Sequence, residues 1–203
     1  MKRVSAIAVI DFSEIPAGVF ATDAMLKKSP IGFVKSGSTT RGRYLTLVGG
    51  SPASVQEALA EAMRCGGDAI LDRVMLADVH PELLDGMLGK HATIAHGSLA
   101  IVETDTVSAS VRAAEAALKG ATVQLVEIRL ADAGLAGKGL FVVQGELHDI
   151  EAAVDLAIAS IEGSGRTLSS RIISAPHEGL VRALEGTTTF SSTELLDLDG
   201  EVG

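Results

Sequence analysis

Asp11 and Glu103 each stand near the end of an apolar run, Ala8-Val9-Ile10-Asp11 and Ala100-Ile101-Val102-Glu103. Carboxylates at matched positions are the residue type that general acid–base catalysis employs. Each half of the chain holds one, however, with no second group placed beside it. The expected role is therefore a structural hydrogen bond or a subunit contact. His80 and His177 also occupy matched positions, each before a short terminal helix, and neither has a nameable nucleophile or acid partner. His91 and His96 lie in a connecting segment without cysteines, which is not a zinc pattern. Cys65, beside Gly66-Gly67, has no His or Lys neighbour to lower its pKa and is expected to be inert. Gly134-Leu135-Ala136-Gly137-Lys138-Gly139 has part of a phosphate-binding loop. That motif needs Gly where Asp132 stands and Ser or Thr where Gly139 stands, so phosphate cradling is not expected.

The elements that carry these residues occur twice. Asp23-Ala24-Met25-Leu26-Lys27 is answered by Glu115-Ala116-Ala117-Leu118-Lys119, at the same offset of 92 that relates Ala8 to Ala100. The offset steps to 95 at Gly50 and Gly145, and to 97 at His80 and His177. A unit of about 95 residues exceeds the roughly 20–50 residues of solenoid modules and is domain-sized. In the first half, Ser5 to Phe12 reads as a strand. Ile15, Val19, Thr22 and Leu26 mark a helix ended by Ser29-Pro30. A short strand from Ile31 to Lys35 leads to a polar loop, Ser36 to Gly42. Strands follow from Arg43 to Val48 and from Ala69 to Leu76, with a helix between them. Ser54 and Glu57 form a capping-box pattern for that helix, and a short helix begins at Pro81. The second half repeats the order, with a loop from Ala131 to Gly137 and Asp149 expected to cap its second long helix. Each half is thus β-α-β-β-α-β plus a short terminal helix, an α/β (α+β) ferredoxin-like arrangement. The boundaries expected are 4–90 and 98–186, with an acidic tail over 187–203.

Net charge is −9 and the pI about 5.0, which disfavours nucleic acid as a partner. Hydrophobic residues make up 47% and aromatics only 3%, so the core must be built from Ala, Val, Ile and Leu. One cysteine excludes an internal disulfide. The apolar run after Met1-Lys2-Arg3 is too short for a signal peptide or membrane span, so a cytosolic location without membrane contact is expected.

Taken in order and twice over, these pieces resemble the shell domains of bacterial microcompartments (BMC domains). The matching segments are the two strands that run into Asp11 and Glu103 and the helix ends at Lys27 and Lys119. They also include the loops Arg41-Gly42-Arg43 and Ala136-Gly137-Lys138 and the closing Ala175-Pro176-His177-Glu178. The resemblance covers roughly residues 4–186. Each copy starts with the strand that starts an ordinary shell domain, so the order is not circularly permuted.

That resemblance implies a structural shell protein and no enzyme. It implies a homotrimer that mimics a hexamer, tiles a microcompartment facet in the cytoplasm, and meets hexameric and pentameric shell proteins and encapsulated enzymes. It assigns a central pore for small metabolites to Gly37, Ser38, Thr39 and Thr40 of the first copy and Asp132, Ala133 and Gly134 of the second. It assigns the tile edge to Lys27 and Lys119, although Asp78 and Ala175 stand where the family has a helping arginine. Some tandem members hold an iron–sulfur cluster through a loop cysteine. Thr40 occupies that position here and cannot supply a thiolate, so no cluster and no metal is expected. A ring of three Asp132 carboxylates would favour cations or neutral solutes over anions, and Arg43 is expected to face away from the pore. Leu195-Leu196 would anchor the tail on a neighbouring subunit if the tail is not simply solvated. The competing readings are a two-domain ferredoxin-like enzyme or ligand sensor with a site between the halves, and a tandem shell protein of the stacking type.

Overall fold

The computed structural model describes residues 4–95, 97–189 and 192. The first domain runs β1 (Ala6–Phe12), α1 (Ile15–Lys28), β2 (Phe33–Ser38), β3 (Tyr44–Gly50), α2 (Pro52–Gly66), β4 (Ile70–Leu76) and α3 (Pro81–Met87). The second runs β5 (Ser98–Thr104), α4 (Val107–Gly120), β6 (Gln124–Leu130), β7 (Gly139–Gly145), α5 (Leu147–Ile161), β8 (Leu168–Ile173) and α6 (Glu178–Leu184). Their sheets have the same order, β2-β3-β1-β4 and β6-β7-β5-β8, with every neighbouring pair antiparallel. This is the expected ferredoxin-like architecture in both copies.

β1 is apolar at nearly every position because both of its faces are covered. Ala6, Ala8, Ile10 and Phe12 pack with Ala21 and Met25 of α1 and Val55, Ala58 and Ala62 of α2. Ile7 and Val9 point the other way and join one continuous core with Val107, Val111 and Ala114 of the second domain. Alternation of side chains along a strand thus divides β1 between its own helices and its neighbour's. Small residues carry the close approaches. A Cβ on Gly86 of α3 would lie 2.8 Å from Leu125 Cδ2 of β6, so a larger residue there would push Leu125 out of the domain seam.

Several boundaries differ from the sequence reading. β2 extends to Ser38, because Ser36, Gly37 and Ser38 continue the ladder opposite Thr46, Leu45 and Tyr44. On an edge strand polar side chains meet solvent at no cost, so polarity did not mark the strand's end. Ser51 caps α2 rather than Ser54: its side chain accepts from Ser54 N at 3.2 Å, and Pro52 occupies the first turn. α5 begins at Leu147 after Glu146, which places Asp149 inside the first turn, where its charge faces the helix dipole. β6 carries a bulge between Leu125 and Glu127 that β2 lacks.

Asp11 holds the two domains together. Its buried carboxylate accepts from Val107 N (3.1 Å), Ser108 N (2.9 Å) and Ser108 Oγ (2.6 Å), at the start of α4. Beside it, Asp72 Oδ2 accepts from Thr106 Oγ1 at 2.6 Å, and Arg112 Nη2 donates to Arg73 O at 2.8 Å. Burial raises the Asp11 pKa above its ordinary value of 3.8, against the lowering effect of the Ser108 and Val107 donors.

Asp11→Ala leaves the buried Val107 and Ser108 N–H groups unmatched, while Ser108 Oγ keeps Val9 O as an acceptor, and is expected to cost on the order of 2 kcal/mol in urea unfolding. Asp11→Asn tests the charge itself. Because the folded pKa is raised, the folded chain binds more protons than the unfolded one from about pH 3.8 upward. The wild type should therefore lose stability relative to Asp11→Asn as pH rises through that window, measured by denaturation across a pH series.

Candidate functional site

The two loops singled out in the sequence differ in build. The first is a tight turn after β2. Thr39 N donates to Arg43 O at 2.8 Å, and Arg41 and Gly42 both take the left-handed conformation, with φ 70° and 71°. Thr39 is half-buried and Thr40 is exposed. Gly37 and Ser38 belong to β2 and not to the loop.

The second loop gains three residues where strand pairing resumes, since Ser38 faces Tyr44 but Leu130 faces Gly139. It is folded on itself: Leu135 N donates to Asp132 O and Lys138 N to Leu135 O, at 3.2 and 2.9 Å. Leu135 is buried beneath it, while Asp132, Ala133 and Gly134 are exposed. Ala131 and Ala136 are left-handed, with φ 55° and 52°, a conformation that L-residues other than Asn and Asp seldom adopt.

One buried side chain organises this region. Arg129, on β6, donates from Nη2 to Asp132 Oδ1 at 2.6 Å and from Nε at 3.0 Å, and from Nη2 to Ala133 O at 3.0 Å. Its Nη1 donates to Thr188 Oγ1 at 3.0 Å. The hydrogen bond to Asp132 holds the Arg129 pKa above its usual value despite burial. Asp132, the residue expected to contribute to a ring of three carboxylates, is thus ion-paired within its own chain. Two residues before Arg129, Glu127 accepts from Thr187 Oγ1 (2.8 Å) and Thr188 N (3.0 Å). The expected tail thus begins with a segment, 187–189, that is bound to β6. Leu195-Leu196 lies outside the described residues. Glu127 and Arg129 escaped the sequence reading, because charges alternating with apolar residues along a strand ordinarily mark a solvent face.

The loops of the two copies meet. Arg43 Nη1 donates to Gly137 O at 3.3 Å, and a Cβ on Gly137 would lie 2.8 Å from that nitrogen. Arg43 thereby packs against the second loop. Its counterpart Lys138 instead pairs with Glu103 at 2.6 Å. Asp11 and Glu103, alike in sequence, thus do different work.

Lys27 and Lys119 also differ. Lys119 Nζ reaches across the domain seam to Asp78 O and pairs with Glu115 at 2.7 Å. Glu115 in turn accepts from His80 N at 3.0 Å. Lys27 is exposed and, among the described residues, pairs only with Asp23, four residues earlier on its own helix. His177 Nδ1 accepts from Gly179 N at 3.1 Å and so caps α6. Cys65, half-buried on α2, lies 3.2 Å from Arg64 Nη2 and far in sequence from either loop. Among the described residues no group of three His, Cys, Asp or Glu is placed to hold a metal, and no helix is long and apolar enough to cross a membrane.

Comparison with known proteins gives a consistent result. A model of the BMC domain matches residues 6–79 and again 98–176. The chain is 32% identical over 179 residues to the bacterial microcompartment shell protein PduT of Citrobacter freundii, covering 88% of this chain and 97% of that one. It is 26% identical over 195 residues to the carboxysome assembly protein CcmO of Synechococcus elongatus, covering 90% of this chain and 70% of that one. Among solved structures, a microcompartment protein from Desulfitobacterium hafniense superposes with a TM-score of 0.76 at 28% identity, over 89% of this chain and 99% of the other.

Arg129→Met keeps the volume and removes the donors that hold Asp132, Ala133 and Thr188. It should cost on the order of 1–3 kcal/mol. It should also raise amide hydrogen exchange over 131–134 and 187–189 while leaving β1 and β5 protected. Exchange that rises uniformly would show that Arg129 is not the local clamp.

Proposed function

The chain belongs to the family of bacterial microcompartment shell proteins, and from that premise we propose that three copies close into a pseudohexameric tile around a central pore. The observation that carries this reading is an imbalance between the two copies. In the second domain, α4 is buried at Val107, Val111, Glu115 and Leu118. The matching positions on α1 are exposed: Ile15 at 38%, Val19 at 48% and Leu26 at 47%, with Asp23 exposed as well. β6 is buried along most of its length, whereas its counterpart β2 is mostly exposed, with Val34 at 40%. The first domain thus receives α4 and β6 within the chain and leaves α1 and β2 bare.

The receiving surface is bare in the second domain. Lys119 fills the depression lined by Asp78, Val79, Pro81 and Leu84, leaving about 290 Å³. The matching depression at Ala175, Pro176, Glu178 and Val181 is open, at about 730 Å³. Lys27 of a second copy fits there as Lys119 fits beside Asp78. A surface that needs its own opposite on the next molecule builds a head-to-tail contact, and such contacts close into a ring when the rotation from copy to copy divides a full turn. A ring of six domains takes three chains. Lys27 and Lys119 then stand at the junctions along the tile's rim.

The two loops of each chain, adjacent through Arg43 and Gly137, line the pore in this reading: Gly37, Ser38, Thr39 and Thr40 alternate with Asp132, Ala133 and Gly134. Because Arg129 binds Asp132, the second loop presents an ion pair and not a bare carboxylate. Its charge selectivity is therefore set by both residues. The tile acts as a structural element and not as an enzyme, and meets hexameric and pentameric shell proteins at its edges. Thr40 offers a hydroxyl where a cluster-binding loop needs a thiolate, so an iron–sulfur cluster does not fit this pore. The space between the domains, where an enzyme or sensor of this architecture would place its site, is filled by Ile7, Val9, Val107 and Val111.

Mass measurement by light scattering should give three times the chain mass of 20.8 kDa. Val19→Asp, on the bare face of α1, should yield a folded monomer with an unchanged circular dichroism spectrum. A monomeric wild type would sink the ring. Shells carrying Asp132→Ala should admit anions faster than wild-type shells, since the change removes a carboxylate and uncovers Arg129. Unchanged anion flux would place the loop away from the constriction.

A further inference from the structure

We propose that the bare face of α1 selects the second domain of another copy and is refused by a first domain, because the two receiving faces carry different charges at matched positions. This rule rests on the proposed ring and fixes the order of domains around it. The junction inside the chain shows what the first domain's face demands. It presents two acids, Asp11 and Asp72, which pair across the ladder of β1 and β4. Asp11 takes its hydrogen bonds from the first two residues of α4, Val107 and Ser108. The Asp72 carboxylate is met by three groups of the second domain: Thr106 Oγ1 at 2.6 Å, Arg112 Nη2 at 3.6 Å and Arg166 Nε at 3.7 Å.

The first domain carries none of these groups at the matching places. Ile15 and Pro16 open α1 as Val107 and Ser108 open α4. Proline has no N–H, and its side chain has no hydroxyl. Docked on a first domain, α1 would leave Asp11 buried with a single donor from the helix start, the Ile15 N–H. Glu14 stands where Thr106 does and Phe20 where Arg112 does, at the offset of 92. Asp68 stands where Arg166 does, since Ser13 N donates to Ala69 O as Asp105 N donates to Thr167 O. Asp72 would thus face two further carboxylates and a phenyl ring. An under-satisfied buried acid and like charges in contact both oppose binding. The same exclusion keeps α1 from displacing α4 on a neighbouring chain.

The second domain's face makes neither demand. Glu103 matches Asp11, yet Lys138 already pairs with it at 2.6 Å, so it needs no donor from a helix start. Arg43, the match of Lys138, donates to Gly137 O instead. Ser169 lies opposite Glu103 in the ladder, matches Asp72 and carries no charge. Against this face Pro16 strands no acceptor, and Glu14 and Asp68 meet a hydroxyl in place of an acid. Phe20, 61% exposed in the single chain, gains cover there, beside the half-buried Ile101 that matches Val9. Specificity of this kind comes from what repels the wrong partner as well as from what holds the right one. The partner that fits α1 is therefore the second domain of another copy, and first and second domains alternate.

Giving the second face the charge of the first tests this in the full-length chain. Ser169 is exposed, so Ser169→Asp keeps the fold. It should raise the trimer dissociation constant several-fold, read by light scattering over a dilution series, with an unchanged circular dichroism spectrum. Adding Phe20→Arg imports the Arg112–Asp72 pair across the chains and should restore assembly. Ser169→Asn, similar in size and uncharged, should assemble as wild type. The proposal is overturned by Ser169→Asp trimers as stable as wild type, by equal weakening from Ser169→Asn, or by failure of Phe20→Arg to rescue. A second measurement stays inside the chain. Ser108→Pro gives α4 the opening of α1, in the first turn where a helix tolerates proline. It should shift the unfolding equilibrium in urea by a several-fold larger factor in wild type than in the Asp11→Ala background. Equal shifts would show that Asp11 does not discriminate between helix starts. A monomeric wild type sinks the ring and this rule together, whereas a wild-type trimer indifferent to Ser169→Asp sinks this rule alone.

Discussion

Everything in this molecule turns on the junction where Asp11 accepts three hydrogen bonds from the first turn of α4. A helix start carries unpaired N–H groups and a partial positive charge. A carboxylate from another domain satisfies both at once. Around that point the apolar seam closes, with Ile7 and Val9 on one side and Val107 and Val111 on the other. A domain this small buries too little surface to stand comfortably alone. Sharing one core across two domains answers that shortage, and it dictates which face each domain must offer.

The same requirement explains why the chain's surface is unequal. Each domain offers a helix and an edge strand on one side and a receiving sheet face on the other. Joining two domains consumes one of each and leaves one of each. α1 and β2 are therefore exposed where α4 and β6 are buried, and the depression beside Ala175 is open where the one beside Asp78 is filled. Duplication also released the two copies from doing identical work. Asp11 is sealed in the junction while Glu103 pairs with Lys138 at the surface. The second loop gained three residues and an internal arginine clamp, and the first stayed a tight polar turn.

Much of the fold was legible in the chain because its signals are local. Apolar alternation, helical spacing and Gly or Pro punctuation repeat at one offset, so two copies of one domain could be read directly, down to the three-residue gain in the second loop. Errors fell where local signals conflict with long-range pairing. Ser36 to Ser38 look like a loop but are held in β2 by the ladder of β3. Ser54 looks like a cap but lies inside a helix already started by Ser51 and Pro52.

The sequence by itself determined the repeat, the architecture of each copy and the kind of residues in each loop, since these depend on neighbours a few positions away. Tertiary structure alone decided which of two like residues is buried. Nothing within either half shows that Asp11 is buried and Glu103 is not, or that Lys119 is engaged across the seam and Lys27 is not. Their difference arises because one covalent chain can bring its second domain against its first, but not its first against its second. That is a fact of connectivity in space, and it is where the bare faces of α1 and β2 originate.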